Sequence, residues 1–509
     1  MQTPQMTRCA AASIAYPPDR EPAPNLGWTV VEDFRKLGPT YFSDQAPSRI
    51  GRNPILLHVS PDAARLLGLN AVAFAHPGAV RLFAGHRPVE GFAPLSQVYG
   101  GHQFGNWVPR LGDGRAMLIA QIRNDQGALW DVQLKGAGRT PYSRFGDGRA
   151  VLRSTIREYL ASEAMAALGI PTTRALCLVA TGEGVMRETL EPGAILTRLA
   201  PSHIRFGHFE YFRHNGMAEA IPALADHVIT LGWPDLTGRE DRFARWFEGL
   251  VERTAGLIAD WQAVGFCHGV MNTDNMSALG LTIDYGPYGF LDAHDPGHIC
   301  NHSDHSGRYA FASQPDIAFW NLQMLAMCLT DLIPVEALRA ALAAYGPAFS
   351  QALRSRMRAK LGLIVERDED DALLESLAAL MADAGADHTL TFRRLSDVAR
   401  TSHADAWVQL FGRGFMEQAT AWAARYLARL TMEPDADRPA RMDRVNPKYV
   451  PRNWVAEQAI RAVEDEGDLD RLDRIFQALT DPYSERPQDE ALASPPSFDM
   501  SMLSVSCSS

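Results

Sequence analysis

The sequence lacks the features that several protein classes need. Its six cysteines stand far apart with no Cys-x-x-Cys pair, which excludes a disulfide-stapled scaffold. The longest strongly apolar run, Ile317 to Thr330, is too short to span a membrane and contains two amides. Basic residues are in deficit, since 49 Lys and Arg face 60 Asp and Glu, for a net charge of −11. We therefore expect no membrane association and no nucleic-acid partner.

Common nucleotide-binding motifs and targeting signals are also missing. Gly-x-Gly pieces begin at Gly112, Gly136 and Gly182, among others, and none continues into Gly-x-Gly-x-x-Gly. No Gly-Lys-Ser/Thr sequence occurs either, so neither a Rossmann nor a Walker site is predicted. The first residues contain no apolar signal core, and we expect a cytoplasmic protein.

The remaining composition is that of a globular protein, with 46% hydrophobic and 21% charged residues. Periodicity predicts strands at 116–122, 130–135, 176–180 and 194–199, and one helix at 151–168. Beyond residue 205 it predicts helices at about 217–231, 239–264, 315–330, 334–344, 346–360, 369–383, 404–430 and 453–465. A polar interruption at 266–312 is a candidate functional loop.

This pattern predicts an α+β protein with two lobes. The predicted parts are an N-terminal extension (1–90), a β-rich lobe (91–200), a helical lobe (201–345), a C-terminal helical region (346–483) and a flexible Pro/Ser-rich tail (484–509).

The β-rich lobe contains three groups in an informative order. Gly112-Asp-Gly114-Arg115 opens a hairpin, Lys135 ends its second strand, and Glu158 lies inside the predicted helix. A glycine turn, a strand lysine and a helix glutamate are the parts with which protein kinases bind and neutralise the phosphates of ATP.

The helical lobe contains the corresponding acidic groups. His268-Gly-Val-Met-Asn-Thr-Asp274-Asn275 precedes an apolar strand that ends in Asp284-Tyr-Gly. Hard oxygen ligands suit Mg²⁺, and a neighbouring carboxylate can accept the proton of a hydroxyl. Kinases place that carboxylate two residues after the histidine, where this sequence has Val270. The available carboxylate is Asp274, so transfer of the γ-phosphate does not follow from the motif.

Several long segments resemble one family, the selenoprotein O protein adenylyltransferases, which have a protein-kinase-like fold. The resemblance runs from about residue 40 to 465 and includes GGHQFGNWVPRLGDGRA (100–116), DVQLKGAGRTPYSRFGDGRA (131–150), LTRLAPSHIRFGHFEYF (196–212), HGVMNTDNMS (268–277), TIDYGPYGFLD (282–292) and NPKYVPRNW (446–454).

The resemblance implies transfer of AMP from ATP to Ser, Thr or Tyr hydroxyls of proteins, with release of pyrophosphate and with ATP reversed relative to kinases. Mg²⁺ would be required, with Mn²⁺ as a substitute, and UMP transfer is a further activity. Asp274 would accept the proton, Asn275 and Asp284 would hold the metal, and Glu158 would pair with Lys135. The implied nucleotide contacts are Gly112, Gly114, Arg115, Lys135, Asp147, Gly148, Arg198, Arg205 and Asp284.

Two other functions stay open at this point. The protein could be a phosphotransferase that moves the γ-phosphate, or a catalytically silent pseudokinase scaffold that only binds nucleotide. The run His294, His298, Cys300, His302 and His305 lacks the paired spacing of a zinc site and is better explained as an activation segment.

A redox hypothesis concerns Cys507, which stands where some relatives of the family carry selenocysteine. Its Pro/Ser-rich surroundings predict an exposed, mobile thiol. Cys300 lies sixteen residues after Asp284 in the presumed activation segment. We predict that Cys300 and Cys507 form a disulfide under oxidation that lowers activity until it is reduced.

Overall fold

A computed structural model describes residues 26–497 and Leu503. Its strands are β1 (Thr29–Val31), β2 (Phe42–Asp44), β3 (Ile55–Val59), β4 (Leu95–Gln97), β5 (Gly101–Gln103), β6 (Asn106–Val108), β7 (Ala116–Arg123), β8 (Leu129–Lys135), β9 (Ala150–Val151), β10 (Arg174–Met186), β11 (Leu190–Ala200), β12 (Phe266–Cys267) and β13 (Gly289–Phe290).

The helices follow mainly after the large sheet in chain order. They are α1 (Pro61–Leu66), α2 (Ala71–Ala75), α3 (Pro77–Phe83), α4 (Leu152–Ala167), α5 (Phe206–His214), α6 (Ile221–Gly232), α7 (Arg242–Val264), α8 (Gln314–Cys328), α9 (Val335–Lys360), α10 (Asp370–Ala384), α11 (His388–Thr401), α12 (Asp405–Val408), α13 (Met416–Thr431), α14 (Arg438–Val445), α15 (Asn453–Arg461), α16 (Leu469–Thr480) and α17 (Glu490–Ala493).

The main sheet has nine antiparallel strands, seven of them in the order β2-β4-β7-β8-β11-β10-β3. The register pairs Ala116 with Lys135 across β7 and β8, and Arg198 with Gln133 across β11 and β8. Because side chains alternate along a strand, Gln133 and Lys135 share one face. This face holds the polar groups of the site, whereas Val132 and Leu134 enter the core on the other.

The described residues form four large apolar cores and a small fifth one that contains Cys267 and Cys300. Helices α1–α3 pack with one face of the sheet, and α4 packs with α15, α16 and strands β10 and β11. Helices α5–α9 form the largest core, and α10–α14 enclose a separate one around Trp407 and Trp422. None of the described helices is long and apolar enough to cross a membrane.

The predicted strands and the helix at 151–168 are confirmed, although β10 and β11 run longer than expected. The helices predicted at 334–344 and 346–360 are one helix, α9, which contains Pro347 and packs along α7. The helix predicted at 404–430 is interrupted by short 3-10 turns at Gly412, whose φ of 72° is left-handed.

The tail prediction was wrong for its first part. Residues 487–493 form a 3-10 turn and α17, and Glu485 and Glu490 both pair with Lys448. The side chain of Asp489 is fully buried between Arg474 and Arg486. Ion pairs with α16 and the segment before α15 therefore fix residues that composition alone assigned to a mobile tail.

Candidate active site

An open cleft of about 780 Å³ is lined by residues of the sheet and of the segment 268–277, here called the catalytic loop. Residues that stand far apart in sequence meet here. The lining includes all the predicted nucleotide, metal and proton-accepting residues: Gly112, Gly114, Arg115, Lys135, Asp147, Gly148, Arg198, Arg205, Asp274, Asn275 and Asp284.

Glu158 lies beneath the cleft on α4 and joins two of its cations. Its carboxylate pairs with Lys135 Nζ, and its other oxygen is 3.2 Å from Arg198 Nη1. Both partners come from neighbouring strands, β8 and β11, whose pairing brings them side by side. Burial lowers the pKa of Lys135, and the Glu158 carboxylate opposes that shift. The predicted Lys135–Glu158 pair is thus present, with Arg198 as a second partner.

Asp284 lies between two arginines, Arg198 and Arg205, each of which donates to one of its oxygens. Burial alone would raise the pKa of Asp284, but Arg205, Arg198 and Lys135 together hold it well below the usual value. The carboxylate is therefore ionised. The backbone of Asp284 has a φ of 57°, in the left-handed region, which is a strained conformation for a residue that is not glycine.

The catalytic loop contains a single 3-10 turn, Thr273–Asn275, which places Asp274 and Asn275 beside each other. Arg205 Nη1 donates to the backbone oxygen of Asp274 at 2.7 Å. Burial raises the pKa of Asp274 to about 7, against the opposing effect of Arg205. The Asn275 amide nitrogen donates to Val270 O at 2.9 Å, so the side-chain oxygen is the atom that could coordinate a metal ion. Two carboxylates of one cleft thus have opposite pKa shifts, as acid–base sites require.

Residues 142–149 also line the cleft. Gly148 has a φ of 72°, and a Cβ there would lie 2.1 Å from Gly138 O, so only glycine fits. Asp147 pairs with Arg187 at 2.8 Å. Phe145 also lines the cleft and is fully exposed.

The structure bears on the predicted Cys300–Cys507 disulfide through Cys300 alone, because Cys507 lies outside the described residues. Cys300 is 5% exposed, and its thiol donates to Cys267 O at 3.4 Å. Cys300 thus lies under the surface in the conformation described, and a bond to any tail cysteine requires its segment to open.

Gln103 also lines the cleft, and it is not among the site residues that the sequence predicts. Its Nε2 donates to Asp274 Oδ2 at 3.2 Å, from a hairpin formed by β5 and β6. The two residues stand 171 positions apart, so no local pattern joins them. The one signal was the motif GGHQFGNW, which belongs to the segments that carried the family resemblance.

Known proteins are similar to this chain over most of its length. The family model described as "Protein adenylyltransferase SelO" matches residues 25–480. A protein nucleotidyltransferase YdiU of Myxococcus xanthus is 54% identical over 456 residues, 89% of this chain and 93% of the relative. Proteins of the same name from Cronobacter sakazakii and Bordetella avium are each 49% identical, over 94% of this chain and 98% of each relative.

Proposed function

The chain belongs to the protein adenylyltransferase SelO family and is a nucleotidyltransferase, and we propose that it transfers AMP from ATP to Ser, Thr or Tyr hydroxyls of proteins. One observation carries this proposal. A cluster of Lys135, Arg198 and Arg205 shares a single cleft with the ionised Asp284 and with Asp274, whose pKa is near neutral.

We further propose that the fold is of the two-lobed protein-kinase kind. The sheet with α4 supports a nucleotide-binding lobe that includes 91–200 together with strands β1–β3 of the predicted N-terminal extension. Helices α5–α8 support a helical lobe at 201–345. Helices α10–α14, which enclose their own core, support a separate C-terminal region within 346–483. The Lys135–Glu158 pair, which joins the sheet to its helix, is the contact that favours this assignment.

The triphosphate would be held by local positive charge, since the protein as a whole is acidic. Lys135, Arg198 and Arg205 would bind phosphate oxygens, and Arg115 and the backbone of Gly112 and Gly114 would contribute from the turn. The anionic neighbours Glu158 and Asp284 hold these cations in place before ATP arrives. Asp147 and Gly148, which line the same cleft, would also contact the nucleotide.

The donor set in the cleft fits a hard divalent cation. Asp284 supplies an ionised carboxylate and Asn275 an amide oxygen, and both line the cleft where the triphosphate would lie. Mg²⁺, or Mn²⁺ in its place, would neutralise phosphate charge when bound.

Asp274 would be the proton acceptor. The acceptor hydroxyl oxygen bonds to the α-phosphorus, the bond from that phosphorus to the β-phosphate bridging oxygen breaks, and pyrophosphate leaves. The hydroxyl proton passes to Asp274, whose raised pKa lets the carboxylate hold it near neutral pH. Asp274 Oδ1 has no hydrogen-bond partner in the described part of the chain.

The decisive experiment uses ATP labelled at either the α- or the γ-phosphate. Purified protein is incubated with Mg²⁺ and a mixed acceptor protein, and label on protein is counted. AMP transfer predicts α-label only. A phosphotransferase gives γ-label, and a silent scaffold gives neither. UTP labelled at the α-phosphate, in parallel, tests UMP transfer.

A matched pair of variants guards against a contaminating enzyme. Asp284→Asn removes one charge from the cleft with little change in shape, and it should lose the α-label. Asp331→Asn makes the same change on the surface, where Asp331 pairs with Arg213, and it should keep the label.

A further inference from the structure

The hairpin 101–108, formed by β5 and β6, packs directly on the catalytic loop. Its backbone is fixed at two points, where His102 N donates to Thr273 Oγ1 at 2.7 Å and Phe104 N donates to Asn272 Oδ1 at 3.1 Å. Phe104 has a left-handed φ of 50°, a conformation that costs free energy and persists only where surrounding contacts impose it. The hairpin is therefore held against residues on both sides of Thr273.

The close approach depends on the absence of a side chain at Gly101. A Cβ there would lie 2.7 Å from Asp274 Oδ1 and 2.9 Å from Asp274 Cβ. Such distances force a shift of either the hairpin or the carboxylate. Gly101 is thus the residue that lets the hairpin cover Asp274.

Hydrogen bonds to the buried Glu210 support the contact from behind. Glu210 on α5, with its side chain fully buried, accepts from Thr273 Oγ1 and lies 2.6 Å from His102 Nδ1. One carboxylate thus joins the hairpin and the catalytic loop to the helical lobe. Buried, satisfied networks of this kind fix the geometry of the groups they join.

We propose that this hairpin positions the proton acceptor and that Gln103 is the positioning residue. The Gln103 amide donates to Asp274 Oδ2 and fixes the plane of the carboxylate, so that its remaining lone pairs meet the acceptor hydroxyl in one orientation. This inference rests on the proposed role of Asp274.

The test compares three variants of the full-length protein. Gln103→Met keeps the length of the side chain and removes the amide, and kcat for protein labelling should fall at least tenfold while KM for ATP stays within about twofold. Gly101→Ala should give the same pattern by displacing the carboxylate. Asn106→Ala, on the same hairpin with an exposed side chain, should match the wild type.

Three outcomes overturn the inference. They are an unchanged kcat in Gln103→Met, a rise in KM as large as the fall in kcat, and a lowered melting temperature that accounts for the loss. A fall in kcat with unchanged KM and unchanged melting temperature supports the inference, because a merely structural role would lower kcat and the melting temperature together.

Failure of the proposed function gives a different result. If the wild type transfers γ-label, AMP transfer is wrong, yet the same kcat ratio still decides the role of Gln103. If the wild type transfers nothing, hydrogen exchange of the catalytic loop decides. Faster exchange at 268–277 in Gln103→Met supports the hairpin's role, and unchanged exchange overturns it.

Discussion

Asp274 and Asp284 lie in one cleft but have different neighbours. Asp284 faces two guanidinium groups, whereas Asp274 is buried beside an amide and a glycine. We expect Asp284→Ala to abolish transfer and to weaken Mg²⁺-dependent ATP binding, because it removes an anionic oxygen and the carboxylate that Arg198 and Arg205 share.

Asp274→Ala should behave differently. A proton acceptor acts in the chemical step, so turnover should fall by about 10²- to 10⁴-fold while the Kd for ATP changes little. Calorimetric titration with ATP and Mg²⁺, with circular dichroism as the control for folding, separates the two variants. Equal loss of ATP binding in both would show that Asp274 is not the proton acceptor.

Gly148 allows a steric effect to be separated from a backbone effect. Gly127 in the turn between β7 and β8 has a similar φ of 79°, but a Cβ there would meet nothing within 4 Å. Gly127→Ala should cost about 1 kcal/mol of unfolding free energy from its left-handed backbone. Gly148→Ala should cost about 1–3 kcal/mol more, because its Cβ overlaps the Gly138 backbone. Urea unfolding measures the unfolding free energy of both variants. Equal losses would show that a Cβ at position 148 meets no steric overlap.

At the scale of elements, helix α9 ends with a lysine inside an apolar core. Lys360 is 4% exposed, and its Nζ lies 4.3 Å from the centre of the Phe392 ring. Burial lowers its pKa to about 7. Above that pH the folded protein has released a proton that the unfolded chain still binds up to about pH 10. The free energy of unfolding should therefore rise from Lys360 between pH 7 and pH 10, by at most about 1.4 kcal/mol per pH unit.

Lys360→Met tests this pH dependence. The variant should be more stable than the wild type at pH 7, and its unfolding free energy should rise less steeply toward pH 9.5. Lys36→Met is the control, because the Lys36 side chain is 73% exposed. Urea unfolding at several pH values gives the slopes. If the unfolding free energy has the same pH dependence in the wild type and in Lys360→Met, the Lys360 ammonium is exposed to solvent and not buried in the core.

Long elements were predictable because their signal is local. The apolar runs of β7 and β8 and the helical period of α4 are read within one window, and all three elements are confirmed. Three-residue strands such as β2 are defined by a distant partner, since Phe42 pairs with Gln97, and no such window contains both. The sequence predicts a break in α9 at residue 345, close to Pro347, because local propensity contains no information on the packing of this helix along α7.

The candidate site follows the same division. Glycine turns, Lys135, Glu158 and the Asp-Asn pair were found from residue types in chain order, and the structure brings them to one cleft. The cover of Asp274 by Gly101 and Gln103 was not found, because it is a contact between segments that no spacing connects. The sequence thus predicts candidate reacting groups, and the fold shows which neighbours contact them.

At the scale of the whole molecule, the C-terminal segment closes on the helices that pack against α4. Lys448 is 7% exposed and pairs with Glu485 and Glu490, and Leu492 packs against the core that contains α4 and α16. A chain ending at Ser484 should therefore melt at lower temperature, since it leaves the Lys448 ammonium buried without these partners. A chain ending at Leu503 should melt like the full protein. Equal melting of all three would show that the segment adds no stability.

The shorter chain that ends at Leu503 also tests the redox prediction, because it lacks Cys507. If the Cys300–Cys507 disulfide regulates activity, the oxidised full chain should regain turnover on reduction, while the chain ending at Leu503 should be insensitive. Peptide mapping with thiols blocked before digestion would identify the bond. Equal sensitivity to reductant in both chains would exclude Cys507 as the switch.

The alternation along β8 has a consequence for how this protein can change length during evolution. Lys135 lines the cleft, and Gln133 lies on the same face of the strand and accepts from Arg198, while Val132 and Leu134 face the core. Deleting one residue inside the strand would therefore exchange the two sets. An insertion at Asp125 or Gln126, in the exposed turn before β8, leaves that alternation intact. Natural variants of this lobe should therefore gain and lose residues at the turn, and keep constant the distance in sequence from Leu129 to Lys135.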